Sequence, residues 1–252
     1  MSVFISGASS GIGEACARSF AAAHHNLVLV ARREDRLKKL SQELRDQFGV
    51  QVTYFSLDVR DRIKLERLAQ LHADVFQDVD ILINNAGLAR GRDVIQKGLP
   101  EDWDVVIDTN LKGLLYVTRT FLPGMIQKRR GHIVNIGSVA GHWVYQNGNV
   151  YCASKFGVRA LSEALRYDLH GSGIRVTEIS PGMVKTEFSH VRFDGDQEKA
   201  DAIYAGRTPL NPEDIAESVL WCVQRPAHVN IQEIIIFPTE QPGVQPITPK
   251  LD

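Results

Sequence analysis

Tyr151 and Lys155 stand four residues apart in the run Tyr151-Cys152-Ala153-Ser154-Lys155. On a helix that spacing puts both side chains on one face. A phenol alone titrates at about 10. An ammonium beside it stabilises the tyrosinate and lowers that value. The pair then suits proton exchange with an alcohol or a carbonyl near neutral pH. Ser138 lies upstream, and its hydroxyl can hydrogen-bond the substrate oxygen where charge develops. Asn110 is placed to hold a water that feeds protons to Lys155. A Tyr-x-x-x-Lys spacing often arises by chance. Its weight comes from the order Asn110, Ser138, Tyr151, Lys155 behind a glycine loop and an Asn85-Ala86-Gly87 turn.

Positioning these groups requires a rigid frame. Short apolar runs at Val3–Ser6, Leu27–Val30, Gln51–Leu57, Val79–Ile83 and His132–Ile136 predict strands, with weaker candidates at Arg175–Ile179 and Ile231–Phe237. Helical periodicity falls between them, at Ile12–Ala23, Asp35–Phe48, Ile63–Phe76 and Trp103–Gln127. Several strands are apolar on both faces, as in strands covered by helices on each side. The alternation predicts an α/β, single-domain, doubly wound Rossmann fold, with a parallel sheet and helices on both faces. No composition shift divides residues 1–252, and the tail from Pro238 to residue 252, with four prolines, reads as irregular.

The segment Gly7-Ala8-Ser9-Ser10-Gly11-Ile12-Gly13 joins the first strand to the first helix. Glycines there permit a tight turn and let a pyrophosphate approach backbone N–H groups at the helix N-terminus. The end of the second strand selects the cofactor. NAD sites usually carry an acid at this point, whereas this chain has Arg32-Arg33. A guanidinium fork suits the 2′-phosphate of NADP(H). Asp58-Val59, read as ending the third strand, is placed to meet the adenine.

The 252 residues are 44% hydrophobic with a formal net charge of -1. That balance supports one sizeable core and offers no field for nucleic acid or an anionic membrane. No apolar run approaches membrane-spanning length. No secretory signal is read before the first strand, and Cys16, Cys152 and Cys222 lack metal-ligand spacing, so a reduced cytoplasmic setting and no metal are expected. His190 and His228 have no evident partner, and His142 and Trp143 are expected to shape the wall of the pocket.

Together these motifs resemble the short-chain dehydrogenase/reductase family over essentially the whole chain. The glycine loop matches, with Ser6 in the usual Thr position, as do Asn84-Asn85-Ala86-Gly87, the helix Asn, the Ser and the Tyr-x-x-x-Lys. The resemblance implies seven strands, hydride transfer with a nicotinamide cofactor and a Lys155 contact to its ribose. Pro181-Gly182 stands where the family expects it. Val184 and Thr186 occupy positions that meet the carboxamide and phosphates in relatives. A substrate lid over about residues 183–210 and a homotetramer are implied in the same way. The stretches Gly148-Asn149-Val150-Tyr151, Thr186-Glu187-Phe188-Ser189 and Pro226-Ala227-His228-Val229-Asn230-Ile231 resemble bacterial NADP-dependent 3-hydroxy acid dehydrogenases. Sulfoacetaldehyde reductases share much of this pattern.

Arg192 in the lid and Tyr145 before the catalytic helix fit a small acidic substrate, since an Arg fork beside a hydroxyl can hold a carboxylate or sulfonate. Alternatively, Arg192 pairs with Asp194 or Glu187. Two other functions are open at this stage: reduction of neutral ketones, and a non-catalytic NADP(H) sensor. Sensors of this fold usually lose the Tyr or the Lys.

Overall fold

The computed structural model describes residues 1–244. Seven strands run in the order β1 (Ser2–Ser6), β2 (Asn26–Ala31), β3 (Val52–Ser56), β4 (Val79–Asn84), β5 (Gly131–Ile136), β6 (Ile174–Pro181) and β7 (Glu233–Ile236). They form one sheet of order β3-β2-β1-β4-β5-β6-β7. Every neighbouring pair is parallel. The order reverses between β1 and β4. A doubly wound sheet opens its ligand crevice there, at the carboxyl ends of the strands.

Helices cover both faces, which explains the apolar strands. Helices α1 (Gly11–Ala22), α2 (Glu34–Phe48) and α10 (Pro212–Val223) bury Phe20, Leu37, Leu44 and Val219 in one layer. The opposite layer takes Leu65 of α3 (Arg62–Leu71), Phe76 of α4 (Ala73–Gln77) and Phe121 of α6 (Leu114–Lys128). Phe4 of β1 meets Phe121 at 4.5 Å between ring centres, and Phe76 stacks on Phe121 at 5.1 Å. Each fully buried aromatic of this kind contributes about 1.5–3 kcal/mol through burial. β1, which carries the glycine loop, is thereby anchored from below.

Two predicted helices differ in detail. The helix expected over Ile63–Phe76 breaks at His72, whose backbone (φ -123°, ψ 43°) is not helical. The helix expected over Trp103–Gln127 is longer, running through α5 (Pro100–Ile107), a π-helical turn at Asp108–Gly113 and α6. Periodicity at 3.6 residues does not reveal a π turn, which inserts one residue into the repeat. Such turns concentrate at functional sites, and Asn110 lies within this one.

Helix α7 (Asn149–Asp168) carries Tyr151 and Lys155. A buried polar ladder fixes it to the sheet. Asn84 Nδ2 donates to Thr118 Oγ1 and to Asn135 Oδ1, both at 2.9 Å, and Asn135 Nδ2 donates to Ser162 Oγ at 2.9 Å. Losing one partner would leave a buried amide unsatisfied at a cost of about 1–3 kcal/mol, so the ladder specifies how α7 sits. Residues 183–210 hold two short helices, α8 (Phe188–Arg192) and α9 (Gln197–Ala202). The tail has no regular structure from Pro238 to Val244, and the rest of the tail reading lies outside the described residues. Among the described residues no helix is long and apolar enough to cross a membrane.

Candidate active site

A cavity of about 640 Å³ lies over the switch point. It is lined by Gly7, Ser9, Ser10, Gly11 and Ile12 of the loop, by Arg32, Arg33, Asp58 and Val59, and by Asn85, Ala86 and Gly87. Ser138, Tyr145, Tyr151, Lys155, Pro181, Gly182, Val184, Thr186 and Arg192 complete the wall. Thus residues spread over the whole sequence converge on one space.

Glycine is required at two points of the loop. Gly7 has φ +68°, and a Cβ there would stand 2.8 Å from Asn85 Nδ2. A Cβ on Gly13 would lie 2.4 Å from the Gly7 carbonyl oxygen, so Gly13 acts by packing beneath the loop. Ser6, in the position the family fills with Thr, joins β1 to β4: its Oγ accepts from the Asn85 and Ala86 amides, both at 3.1 Å. Thr186, after β6, packs against the loop, its Cγ2 3.1 Å from where a Gly11 Cβ would be.

Arg33 is not a free fork. Its Nε and Nη2 donate to Ser9 Oγ at 3.2 Å and Ser10 Oγ at 2.6 Å, while Nη1 pairs with Glu187 at 2.7 Å. Arg36 holds the other Glu187 oxygen at 2.7 Å. Burial alone would raise the Glu187 carboxyl, but hydrogen bonds from Arg36 and Arg33 overcome it and hold the group down at about 2. Glu187 therefore ties the segment after β6 to Arg33, one of the two arginines read as the 2′-phosphate site. Arg32 is exposed at the rim. β3 ends at Ser56, two residues before Asp58, whose carboxylate is engaged by Arg60 at 2.7 Å. Arg33→Ala is expected to raise the NADPH KM and to change NADH use little, each lost charged contact costing about 1.5–3 kcal/mol. Steady-state kinetics with both cofactors measures it.

Asn110 Oδ1 accepts from the Leu88 amide, and Nδ2 donates to the Leu88 carbonyl, both at 2.9 Å; Nδ2 also reaches Ser154 Oγ at 3.0 Å. Both amide protons are used, and one lone pair of Oδ1 remains for a water. Asn110 is thus first a clamp that holds the strand-end loop against α7. Oδ1 and Lys155 Nζ both face Gly87, at 3.3 and 3.7 Å from its would-be Cβ.

The Tyr–Lys pair differs from the sequence expectation. Lys155 Nζ donates to the Ile136 carbonyl at 2.9 Å and stands 6.0 Å from the centre of the Tyr151 ring. Burial pushes the Tyr151 phenol well above its usual range, with a hydrogen bond from Ser138 and the charge of Arg192 acting against it. Tyr151 therefore starts as a protonated acid, the form that carbonyl reduction needs. Ser138 Oγ accepts from the Ala140 amide at 3.1 Å, which fixes its hydroxyl.

Burial lowers Lys155 to about 8, opposed by the charge of Glu178. Its ammonium form exists below that value and is lost as pH rises through it. In the reductive direction kcat/KM is therefore expected to fall above about pH 8, a limb set by the free enzyme. A pH profile that stays flat up to pH 10, where an ordinary lysine titrates, would contradict this.

Arg192 also lines the cavity, beside Tyr151. Nη2 donates to Tyr145 Oη at 2.8 Å and Nε to the Gly91 carbonyl at 3.3 Å. The guanidinium carbon stands 5.5 Å from the centre of the Tyr151 ring. Among the described residues no carboxylate pairs with it, since Arg90 takes Asp194 and Arg33 and Arg36 take Glu187. Arg92 adds a second cation, 5.6 Å from the centre of the Tyr145 ring on the cavity wall. Sequence reading missed it, and only its place shortly after Asn85-Ala86-Gly87 could have pointed to it. His142 and Trp143 are not part of the wall: His142 turns toward Glu233 and Trp143 leans on Phe237 at 6.0 Å.

Residues 1–197 match the short chain dehydrogenase family. The chain belongs to that family. It is 49% identical over 242 residues to the NADP-dependent 3-hydroxy acid dehydrogenase YdfG of Salmonella typhi, covering 96% of each chain. To sulfoacetaldehyde reductase 2 of Chromohalobacter salexigens it is 45% identical over 240 residues, or 95% of this chain and 94% of that one. Its fold superposes on the closed form of serine dehydrogenase complexed with NADP+ with a TM-score of 0.91, at 46% identity and 100% coverage of both chains.

Proposed function

We propose that this protein is an NADP(H)-dependent oxidoreductase that moves hydride between the nicotinamide and a small 3-hydroxy acid or its semialdehyde. The observation that carries the reading is Arg192, a guanidinium with no acid partner among the described residues, 5.5 Å from the centre of the ring of Tyr151, the proposed proton donor. A carboxylate bound there directs the far end of a three-carbon molecule toward Ser138 and Tyr151. The similarity to 3-hydroxy acid and serine dehydrogenases points the same way. In reduction, the cofactor supplies hydride to the carbonyl carbon. Ser138 hydrogen-bonds the carbonyl oxygen, Tyr151 protonates it, and Lys155 binds the cofactor ribose. Within the one domain, residues 183–210 close over the substrate, and the Glu187 latch opens its arginines to the 2′-phosphate.

A second reading, sulfoacetaldehyde reduction, is favoured by the same arginine, since a sulfonate offers Arg192 equivalent oxygens, and by the 45% identical relative. The test is turnover of NADPH with malonic semialdehyde, sulfoacetaldehyde and a neutral ketone. Preference for either acid supports the reading, and preference for the ketone overturns it.

For assembly we propose a homotetramer in the cytoplasm. β7 is an edge strand with Ile235 42% exposed, an apolar edge that pairing with another subunit would cover. Light scattering at micromolar concentration should give four chains, and a monomer would contradict it.

A further inference from the structure

Behind the catalytic helix, three side chains from distant parts of the chain converge. His142 follows the turn after β5, Glu178 lies in β6 and Glu233 opens β7. One ligand atom from each lies within 4.8 Å of the other two. Glu178 is 1% exposed. The His142 and Glu233 side chains are 8% and 27% exposed. Gly137 makes the room, since a Cβ there would stand 2.2 Å from Glu178 Oε1. One hydroxyl serves both acids: Ser180 Oγ is 3.0 Å from Glu178 Oε1 and 3.3 Å from Glu233 Oε1.

A proton alone satisfies this cluster poorly. His142 Nε2 lies 2.5 Å from Glu233 Oε1, yet the buried nitrogen makes no hydrogen bond of acceptable direction. The nitrogen thus stays unsatisfied although it lies against a carboxylate. Burial pushes Glu178 up, and the nearby Glu233 charge adds to this. A divalent cation would neutralise both carboxylates and take the imidazole lone pair. One imidazole with two carboxylates is a donor set of the zinc class. Magnesium and calcium prefer oxygen alone.

We propose that His142, Glu178 and Glu233 form a three-ligand site for a divalent transition metal of the zinc class, with its fourth position open to water beside the partly exposed Glu233. Metal–ligand bonds of about 2.0–2.2 Å need the His142–Glu233 pair to spread by about an ångström, which rotation of the Glu233 side chain supplies. The hydride-transfer reading gives these three side chains no contact with substrate or cofactor, and Glu178 reaches it only through its charge on Lys155, so zinc binding and NADPH turnover are read out separately.

The test uses the full chain, stripped with a chelator and dialysed, then titrated with Zn²⁺ alone in a calorimeter. His142→Asn and Glu233→Gln are titrated in parallel, with circular dichroism to check the fold and NADPH fluorescence to check the cofactor site. The expected result is one saturable zinc per chain, weakened at least about tenfold in each variant, the lower end for disturbing a metal's ligand environment, with NADPH binding unchanged. If His142→Asn fails to fold, Glu233→Gln decides alone. Absence of saturable zinc, or equal zinc binding in the unaltered and substituted proteins, overturns the site.

Discussion

Tyr151→Phe is expected to lower kcat by at least about 10²-fold, the lower end of a general acid's contribution, with NADPH binding nearly intact. The substitution removes one oxygen and keeps the ring. The edge contact with Phe188, at 5.6 Å between ring centres, remains available. Burial pushes the phenol above its usual range and so favours its protonated form, which the variant lacks. Turnover and NADPH fluorescence separate the two effects. Near-normal turnover in the variant would remove Tyr151 from the chemistry.

Arg192→Ala is expected to impair acidic substrates by about 1.5–3 kcal/mol, the range for a hydrogen bond to a charged group, or roughly 10- to 150-fold in kcat/KM. A neutral aldehyde of similar size should be almost unaffected. The contact acts on rate as well as binding, because orienting the carbonyl raises the fraction of molecules in near-attack geometry. Arg192 also ties Tyr145 to the Gly91 loop, so a purely structural role has its own signature. In that case both substrates lose the same factor. Arg192→Lys separates the cases further, since it keeps the charge and loses the planar fork.

Most of the frame was legible in the sequence because local chemistry specifies it. Strands buried on both faces read as unbroken apolar runs, and the glycine loop between strand and helix is constrained by backbone geometry that few residues allow. The four side chains read as catalytic were legible by type and order, and the fold brings Ser138, Tyr151 and Lys155 to one cavity, with Asn110 behind Gly87 of its wall. What the sequence did not carry is who holds whom. Lys155 bonds to Ile136, a strand carbonyl nineteen positions away, and nothing in Tyr-x-x-x-Lys announces that competitor. Arg33 is occupied by Glu187, 154 positions distant, so the charge on a two-residue motif did not reveal this partner. The π turn around Asn110 was hidden because one extra residue in a long amphipathic helix barely disturbs its pattern. His142 was read with the pocket wall, and it lies instead beside Glu178 and Glu233, which arrive from strands that are far off in sequence.

The central claim is hydride transfer between NADPH and a small acid carried out by this chain. Its most direct test supplies NADPH labelled with deuterium at the transferable position, together with malonic semialdehyde, and analyses the product by mass spectrometry. The account predicts 3-hydroxypropionate carrying one deuterium on the carbinol carbon, formed by the unaltered protein and at least about 10²-fold more slowly by Tyr151→Phe. Bound NADPH with no labelled product from any acidic aldehyde would contradict it.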